Sequence, residues 1–230
     1  ESNGELNGHA MGNLLLASMW NAGDDPVVAL DRVGQLLKVI GRVLPMASVA
    51  LDIEGTFNTS TGRIVVRGQK EVATAKGRID SLRIIPEDPP ARSEALTAIA
   101  EADWITMGPG SWFSSVIPHL LVPAQLEALK SSKAKKILIL NLDASSRSQG
   151  EEFAGSTPEQ HLEFFHRYAP GLTVDYCLVD QSVVRDEAAL RATASTLGSE
   201  IVIADIRKAP GSIHHDAEKL ALHLGHILRK

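Results

Sequence analysis

Four short stretches of this chain bring together residue types that can bind or react. In "GPGS", Gly108 and Gly110 let the main chain approach a ligand closely, and Ser111 adds a hydroxyl beside amide N–H groups that can hold an anion. In "HAMGN", His9 and Asn13 sit at a helix start, where side-chain donors and backbone N–H groups can converge on an oxygen ligand. Asn141 and Asp143 follow the apolar "KILIL" and can bind a hydroxyl, and His214, His215 and Asp216 open the final helix. Each stretch also has a purely structural reading. Gly-Pro-Gly can turn the chain while Trp112 and Phe113 pack, His9 or Asn13 can cap the helix, and Asn141 and Asp143 can bond to their own loop. Asp216 reads as an N-cap, with either histidine left to reach a phosphate or a ribose hydroxyl.

The spacing excludes several familiar chemistries. No Lys-Ser/Thr follows the glycines and no Gly-x-Gly-x-x-Gly occurs, so neither a P-loop nor the dinucleotide fingerprint is present. Adjacent histidines point in different directions unless the backbone turns sharply, which argues against a zinc set at His214 and His215. No Ser-His-Asp or Cys-His arrangement and no carboxylate pair stands at a suggestive spacing. The residues point to a binding cleft rather than to a reaction.

The elements that must position these residues follow from periodicity. Met11 to Trp20 and Pro26 to Ile40 read as helices, the second starting after Asp24 and Asp25. From Ala47 to Ile85 the pattern alternates and is broken by Gly55, Gly62, Gly68 and Gly77, which predicts a β-rich insert of short strands and turns. Four apolar strands follow: "WITM", "KILILNL", "VDYCLVD" and "EIVIAD". Helices predicted at Ala91 to Ala102, Pro123 to Ser131, Pro158 to Tyr168, Asp186 to Leu197 and Asp216 to Arg229 separate and close them. The alternation predicts an α/β fold with a mostly parallel sheet between helical layers. In such a sheet ligands bind beyond the carboxyl ends of the strands, so "GPGSW", "NLDASSRSQG", "DQSVV" and "DIRKAPGSIHHD" are the loops to search.

Composition narrows the partners. The 230 residues are 44% hydrophobic with a net charge of −5, and there is no Lys/Arg block, so neither nucleic acid nor an anionic membrane is an obvious partner. Cys177, the single cysteine, lies in the strand-like "VDYCLVD", which excludes a disulfide framework and fits the cytoplasm. Tyr176 beside it reads as core. No apolar run approaches the length of a membrane span and no targeting segment is visible.

Longer stretches bear a family resemblance. "NGHAMGNLLLASMW", "GRVLPM", "RGQKEVATAKGRIDSLRIIPEDPPARSEALTAIAEADWITMGPGSWFSSVIPHLLVP" and "HDAEKLA" closely resemble the YvcK-like proteins, called gluconeogenesis factors, of the wider CofD-like superfamily. "DWITMGPGSWFSSVIPHLLVP" is most similar to their actinobacterial branch. The resemblance runs from about Gly4 to the C-terminus. It implies one three-layer αβα domain over 1–230, related to Rossmann folds, with the insert at 47–85 inside it. It implies binding of a UDP-sugar such as UDP-N-acetylglucosamine, and a role in gluconeogenic growth, cell shape and envelope precursor supply. No cofactor and no established reaction come with it. His9, Asn13, Gly108, Gly110, Ser111, Asn141, His214 and His215 would line the nucleotide cleft. The alternative, from the same superfamily, is a CofD-like transferase that moves a phospholactyl group from a nucleoside diphosphate carrier to a deazaflavin. In those enzymes Gly-Pro-Ser-Asn stands where this chain has Gly108 to Ser111.

The chain also departs from the family pattern. Family members usually open with a strand, a Gly-Gly-Gly-Thr-Gly loop and an Asp-Asp-Gly-Gly-Ser-Ser-Gly segment, and none of these precedes His9. The expectation is that about the first third is missing, leaving an unpaired sheet edge that invites pairing into a homo-oligomer. The usual Arg-His-Asp is His214-His215-Asp216 here, so a permanent charge becomes a titrating imidazole. The loop after Asn141 does not match, and only Asn141 is carried across.

Overall fold

A computed structural model describes residues 7–23, 25–142 and 157–230. Asp24, Asp143 and the loop residues "SSRSQGEEFAG" lie outside the described residues. The chain divides into two compact units, 1–46 and 47–230.

The first unit pairs helix α1 (Met11–Asn21) with α2 (Pro26–Leu37). Asp25 caps α2 by accepting the Val27 N–H at 2.9 Å, and Pro26 occupies the first turn, where its missing N–H costs nothing. The helix stops at Leu37, not Ile40. Lys38 enters the left-handed region at φ 53°, and the Val39 N–H turns back to the Gly34 carbonyl. Neither His9 nor Asn13 caps α1, whose N-cap is Ala10 with no side-chain bond.

The second unit begins with strands β1 (Asp52–Thr59), β2 (Gly62–Arg67) and β3 (Arg78–Ile85) in an antiparallel sheet of order β2-β1-β3. Period-two burial places Ile53, Gly55 and Phe57 on one face of β1. The insert also contains a helix, α3 (Gln69–Thr74), where only strands and turns were expected. Lys70, Glu71 and Ala73 favour helix, and the buried Val72 anchors it over Gly55 of β1. Six residues are too few for a helical period to show in sequence.

The main sheet is built from β4 (Trp104–Met107), β5 (Lys135–Ile139), β6 (Tyr176–Asp180) and β7 (Glu200–Ala204), all parallel and in sequential order. Right-handed crossovers between neighbours taken in order put their connecting helices on one face. Those helices are α6 (Pro123–Ser131), α7 (Pro158–Tyr168) and α8 (Glu187–Ser195). The opposite face, with Ile137, Ile139, Tyr176, Leu178 and Ala204, packs against Leu220, Leu224 and Ile227 of α9 (Ala217–Ile227). The result is the expected αβα layering, with β4 and β7 at the edges of this sheet among the described residues. Cys177 is fully buried and burial pushes its thiol pKa up, so it is an inert core residue. Helix α4 (Ser93–Glu101) packs on α6.

An aromatic chain ties the two sheets together. Phe57 meets Phe113 edge-on at 6.2 Å, Phe113 meets Phe164 at 5.7 Å, and Phe164 meets Tyr168 at 4.9 Å. The Tyr168 hydroxyl accepts the Leu82 N–H of β3 at 2.6 Å. Beside this chain, His161 of α7 is 4% exposed and lies against the Trp112 ring, 5.5 Å between centroids.

Burial lowers the His161 pKa from 6.5 to about 4. Below pH 6.5 the unfolded chain takes up a proton that the folded chain refuses, so stability falls as pH drops from 6.5 towards 4. The loss approaches roughly 3 kcal/mol at about 1.4 kcal/mol per pKa unit. Chemical denaturation at a series of pH values should show this slope in the wild type and a flatter one in His161→Phe; equal slopes refute the assignment.

Candidate functional site

The described residues that follow each of the four parallel strands meet at the carboxyl edge of the sheet, where hydrogen bonds stitch each group to another. Gly108 leaves β4 with φ 78°, and a Cβ on it would stand 2.6 Å from the Ile139 carbonyl oxygen, so only glycine fits. The Gly108-Pro109 peptide is cis. Trp112 and Phe113, 1% and 4% exposed, then anchor the loop in the core through a π-helical turn, Trp112–Val116, that continues into α5 (Ile117–Leu121). The packing reading of this loop is thus realised, and its ligand role stands or falls separately.

Ser111 and Asn141 do structural work of their own. The Ser111 Oγ accepts the Ser114 N–H at 3.1 Å and lies 2.5 Å from the Ser114 hydroxyl. The Asn141 side chain accepts the Gly110 N–H at 3.2 Å and donates to the Gly110 carbonyl at 2.8 Å. That two-way clamp fixes the Gly110 peptide across 31 residues of sequence. Gly108, Gly110, Ser111 and Asn141 therefore sit together, half-buried, at the ends of β4 and β5.

The other half of the edge centres on a carboxylate. Asp180 ends β6 and is 1% exposed. Its Oδ1 accepts the Ser182 N–H at 2.9 Å and also the Ser182 hydroxyl, and its Oδ2 accepts the Ile206 N–H at 2.9 Å. Arg207 Nε donates to Ser182 Oγ at 2.9 Å and lies 3.6 Å from Asp180 Oδ1, while Nη1 donates to the Ser212 carbonyl. Burial works against the charged carboxylate, but the bonds from Ser182 and Ile206 and the Arg207 charge outweigh it and hold the Asp180 pKa below its ordinary value.

After β7 the chain folds back on itself as a small hairpin. Arg207 and His215 pair across an antiparallel bridge, Lys208 N–H bonds the His214 carbonyl at 3.0 Å, and Asp216 N–H bonds the Ile206 carbonyl at 2.8 Å. Asp216 caps α9, accepting the Glu218 and Lys219 N–H groups at 3.0 Å each. His214 is exposed. His215 is half-buried and hydrogen-bonds the Leu140 backbone, so the hairpin reaches back to the end of β5. Its pKa is lowered chiefly by burial, against the opposing pull of the Leu140 bond and the Asp180 charge.

The structure thus gathers six of the eight expected residues in the second unit, five of them half-buried at this edge and His214 exposed on its hairpin. His9 and Asn13 belong to the first unit and are exposed. Asp180, Ser182 and Arg207 were not singled out from sequence, although their loops were. The available signal was a carboxylate directly ending the apolar "YCLV" and an arginine just past "IVIAD". Among the described residues no group of three or more His, Cys, Asp or Glu is placed to hold a metal, and no helix is long and apolar enough to cross a membrane.

Two substitutions test the β4–β5 half of the edge by denaturant unfolding. Asn141→Leu strands both polar groups of the Gly110 peptide and should lower stability by about 1–3 kcal/mol. Gly108→Ala forces the clash with Ile139 and should cost at least about 1 kcal/mol. Wild-type stability in either variant would contradict this geometry.

Comparison with known proteins gives the chain its relatives. The family model of 2-phospho-L-lactate transferase CofD matches residues 1–218. The putative gluconeogenesis factor of Mycobacterium tuberculosis (strain H37Rv) is 44% identical over 225 residues, spanning 95% of this chain and 64% of that protein. The gluconeogenesis factor of Halalkalibacterium halodurans is 33% identical over 208 residues, 90% of this chain and 62% of that protein. The chain therefore spans less than two thirds of the length of these relatives. A crystal structure of a UPF0052 family protein from Bacillus halodurans superposes with a TM-score of 0.80 at 30% identity, covering 96% of this chain and 74% of that one. The chain belongs to the CofD family, among the YvcK-like gluconeogenesis factors.

Proposed function

We propose that this chain forms the nucleotide-sugar-binding region of a cytoplasmic regulatory protein, with UDP-N-acetylglucosamine as its ligand. The reading is supported by one observation above all: four strand ends of a parallel sheet carry a glycine loop, an amide clamp, a carboxylate–guanidinium pair and an imidazole at one edge. Ligands of open α/β sheets bind at that edge. In this reading the Gly108–Ser111 backbone faces the diphosphate, and Asn141, His214 and His215 face the ribose or sugar. The parts of His9 and Asn13 rest on their motif alone. The role of the whole protein lies in gluconeogenic growth, cell shape and envelope precursor supply, and the chain acts with other copies of itself. The 47–85 sheet is an insert within the same domain.

Titration calorimetry of the full chain with UDP-N-acetylglucosamine should give saturable heat. Ser111→Trp, which places a bulky ring at the glycine loop, should abolish it. Absence of saturable heat in the wild type would reject the reading. A coupled product seen by mass spectrometry after incubation with a deazaflavin and activated phospholactate would replace it with the transferase.

A further inference from the structure

The glycine loop commits most of its polar groups to itself. Pro109 has no N–H to offer. The Gly110 N–H and carbonyl are both taken by the Asn141 side chain, at 3.2 and 2.8 Å. The Ser111 hydroxyl accepts the Ser114 N–H at 3.1 Å and pairs with the Ser114 hydroxyl at 2.5 Å. The Ser111 carbonyl accepts the Ser115 and Val116 N–H groups at 2.8 and 3.0 Å. An anion seated against this loop therefore cannot use the Gly110 amide without displacing Asn141, and its donor must come from elsewhere.

The two glycines differ in what surrounds them. Gly108 has φ 78° and a Cβ on it would run into the Ile139 carbonyl oxygen, so the fold alone accounts for its missing side chain. Gly110 has no positive φ and no such carbonyl above it. Apart from its chain neighbours, the only described atoms within 4 Å of where its Cβ would stand are Ser115 Cβ at 3.3 Å and Ser115 Oγ at 3.9 Å. The space that a side chain at 110 would fill is thus a niche with main chain as its floor and Ser115 as its one described wall. Ser115 is exposed, and its hydroxyl makes no hydrogen bond among the described residues. Its main chain is fixed, because the Ser115 N–H bonds the Ser111 carbonyl in the turn that Trp112 and Phe113 anchor in the core. A hydroxyl so placed donates to an anionic oxygen without adding charge to the loop.

We propose that Ser115 is a further ligand-contact residue of this site, its hydroxyl donating to a phosphate oxygen that enters the niche over Gly110. This rests on the nucleotide-sugar reading of the site. The single native cysteine permits a direct test. Cys177 is fully buried and inert, so in Ser115→Cys the introduced thiol is the one open to a water-soluble disulfide reagent. In the full chain that thiol should react while the folded wild type does not. UDP-N-acetylglucosamine and inorganic pyrophosphate, each at about ten times its dissociation constant, should each slow the labelling about tenfold. In titration calorimetry Ser115→Ala should weaken both probes about tenfold, the loss of one hydrogen bond to a charged group. Its denaturant stability should equal that of the wild type, since the hydroxyl holds nothing in the fold. A thiol that does not react in the folded chain overturns the proposal. So does labelling that neither probe slows, or Ser115→Ala affinities at the wild-type level, with nucleotide-sugar binding left standing. Protection by UDP-N-acetylglucosamine but not by pyrophosphate overturns the phosphate contact and moves the hydroxyl to the ribose or sugar. A wild type that gives no heat with UDP-N-acetylglucosamine rejects the nucleotide-sugar reading; the pyrophosphate arm then decides the contact, which fails if pyrophosphate gives no protection.

Discussion

The buried carboxylate of Asp180 is the constraint on which the carboxyl edge of this sheet depends. Taking a charge out of water is costly unless its lone pairs are filled and an opposite charge stands near. Here the Ser182 N–H and hydroxyl, the Ile206 N–H and the Arg207 guanidinium meet that requirement. Each of those partners is thereby fixed. Ile206 joins β7 to β6 beyond the last ladder pair, and Arg207 sets the base of the hairpin that carries His214 and His215.

The glycine loop is fixed by a different physics. Its position comes from two aromatic anchors in the core and from one amide that bonds both groups of the Gly110 peptide. Neither device carries net charge. A loop held this way keeps its shape at any ionic strength, because packing and neutral hydrogen bonds are not screened. Trp112 also touches Phe165 and His161 of α7, so the loop after β4 and the helix after β5 form one packed block.

Much of this architecture was legible in the sequence, and the illegible parts share a cause. "WITM" matches β4 residue for residue, because Asp103 and Gly108 bound a short apolar run. α6 and α7 likewise begin at Pro123 and Pro158, where a fixed φ suits a first turn. "KILILNL" was read too long: the ladder ends at Ile139, and Asn141 turns to clamp Gly110. The Asp180 cluster was hidden because Ile206 lies 26 residues from Asp180 and Arg207 lies 25 residues from Ser182, beyond any local period. Gly110 and Asn141 were each visible as candidates, but the bond between them was not.

The two halves of the edge therefore offer unlike chemistry, and this bears on ligand orientation. On the β4 side the features nearest the strand are main-chain groups held by the Asn141 amide, which carry no net charge. On the β7 side a compensated ion pair stands beside a neutral imidazole, which suits a group that is polar but uncharged. A nucleoside diphosphate sugar has this division along its length, with a charged bridge between two hydroxyl-rich rings. An edge that separates backbone from compensated side chains can orient such a molecule by the mismatch of either end in the wrong half.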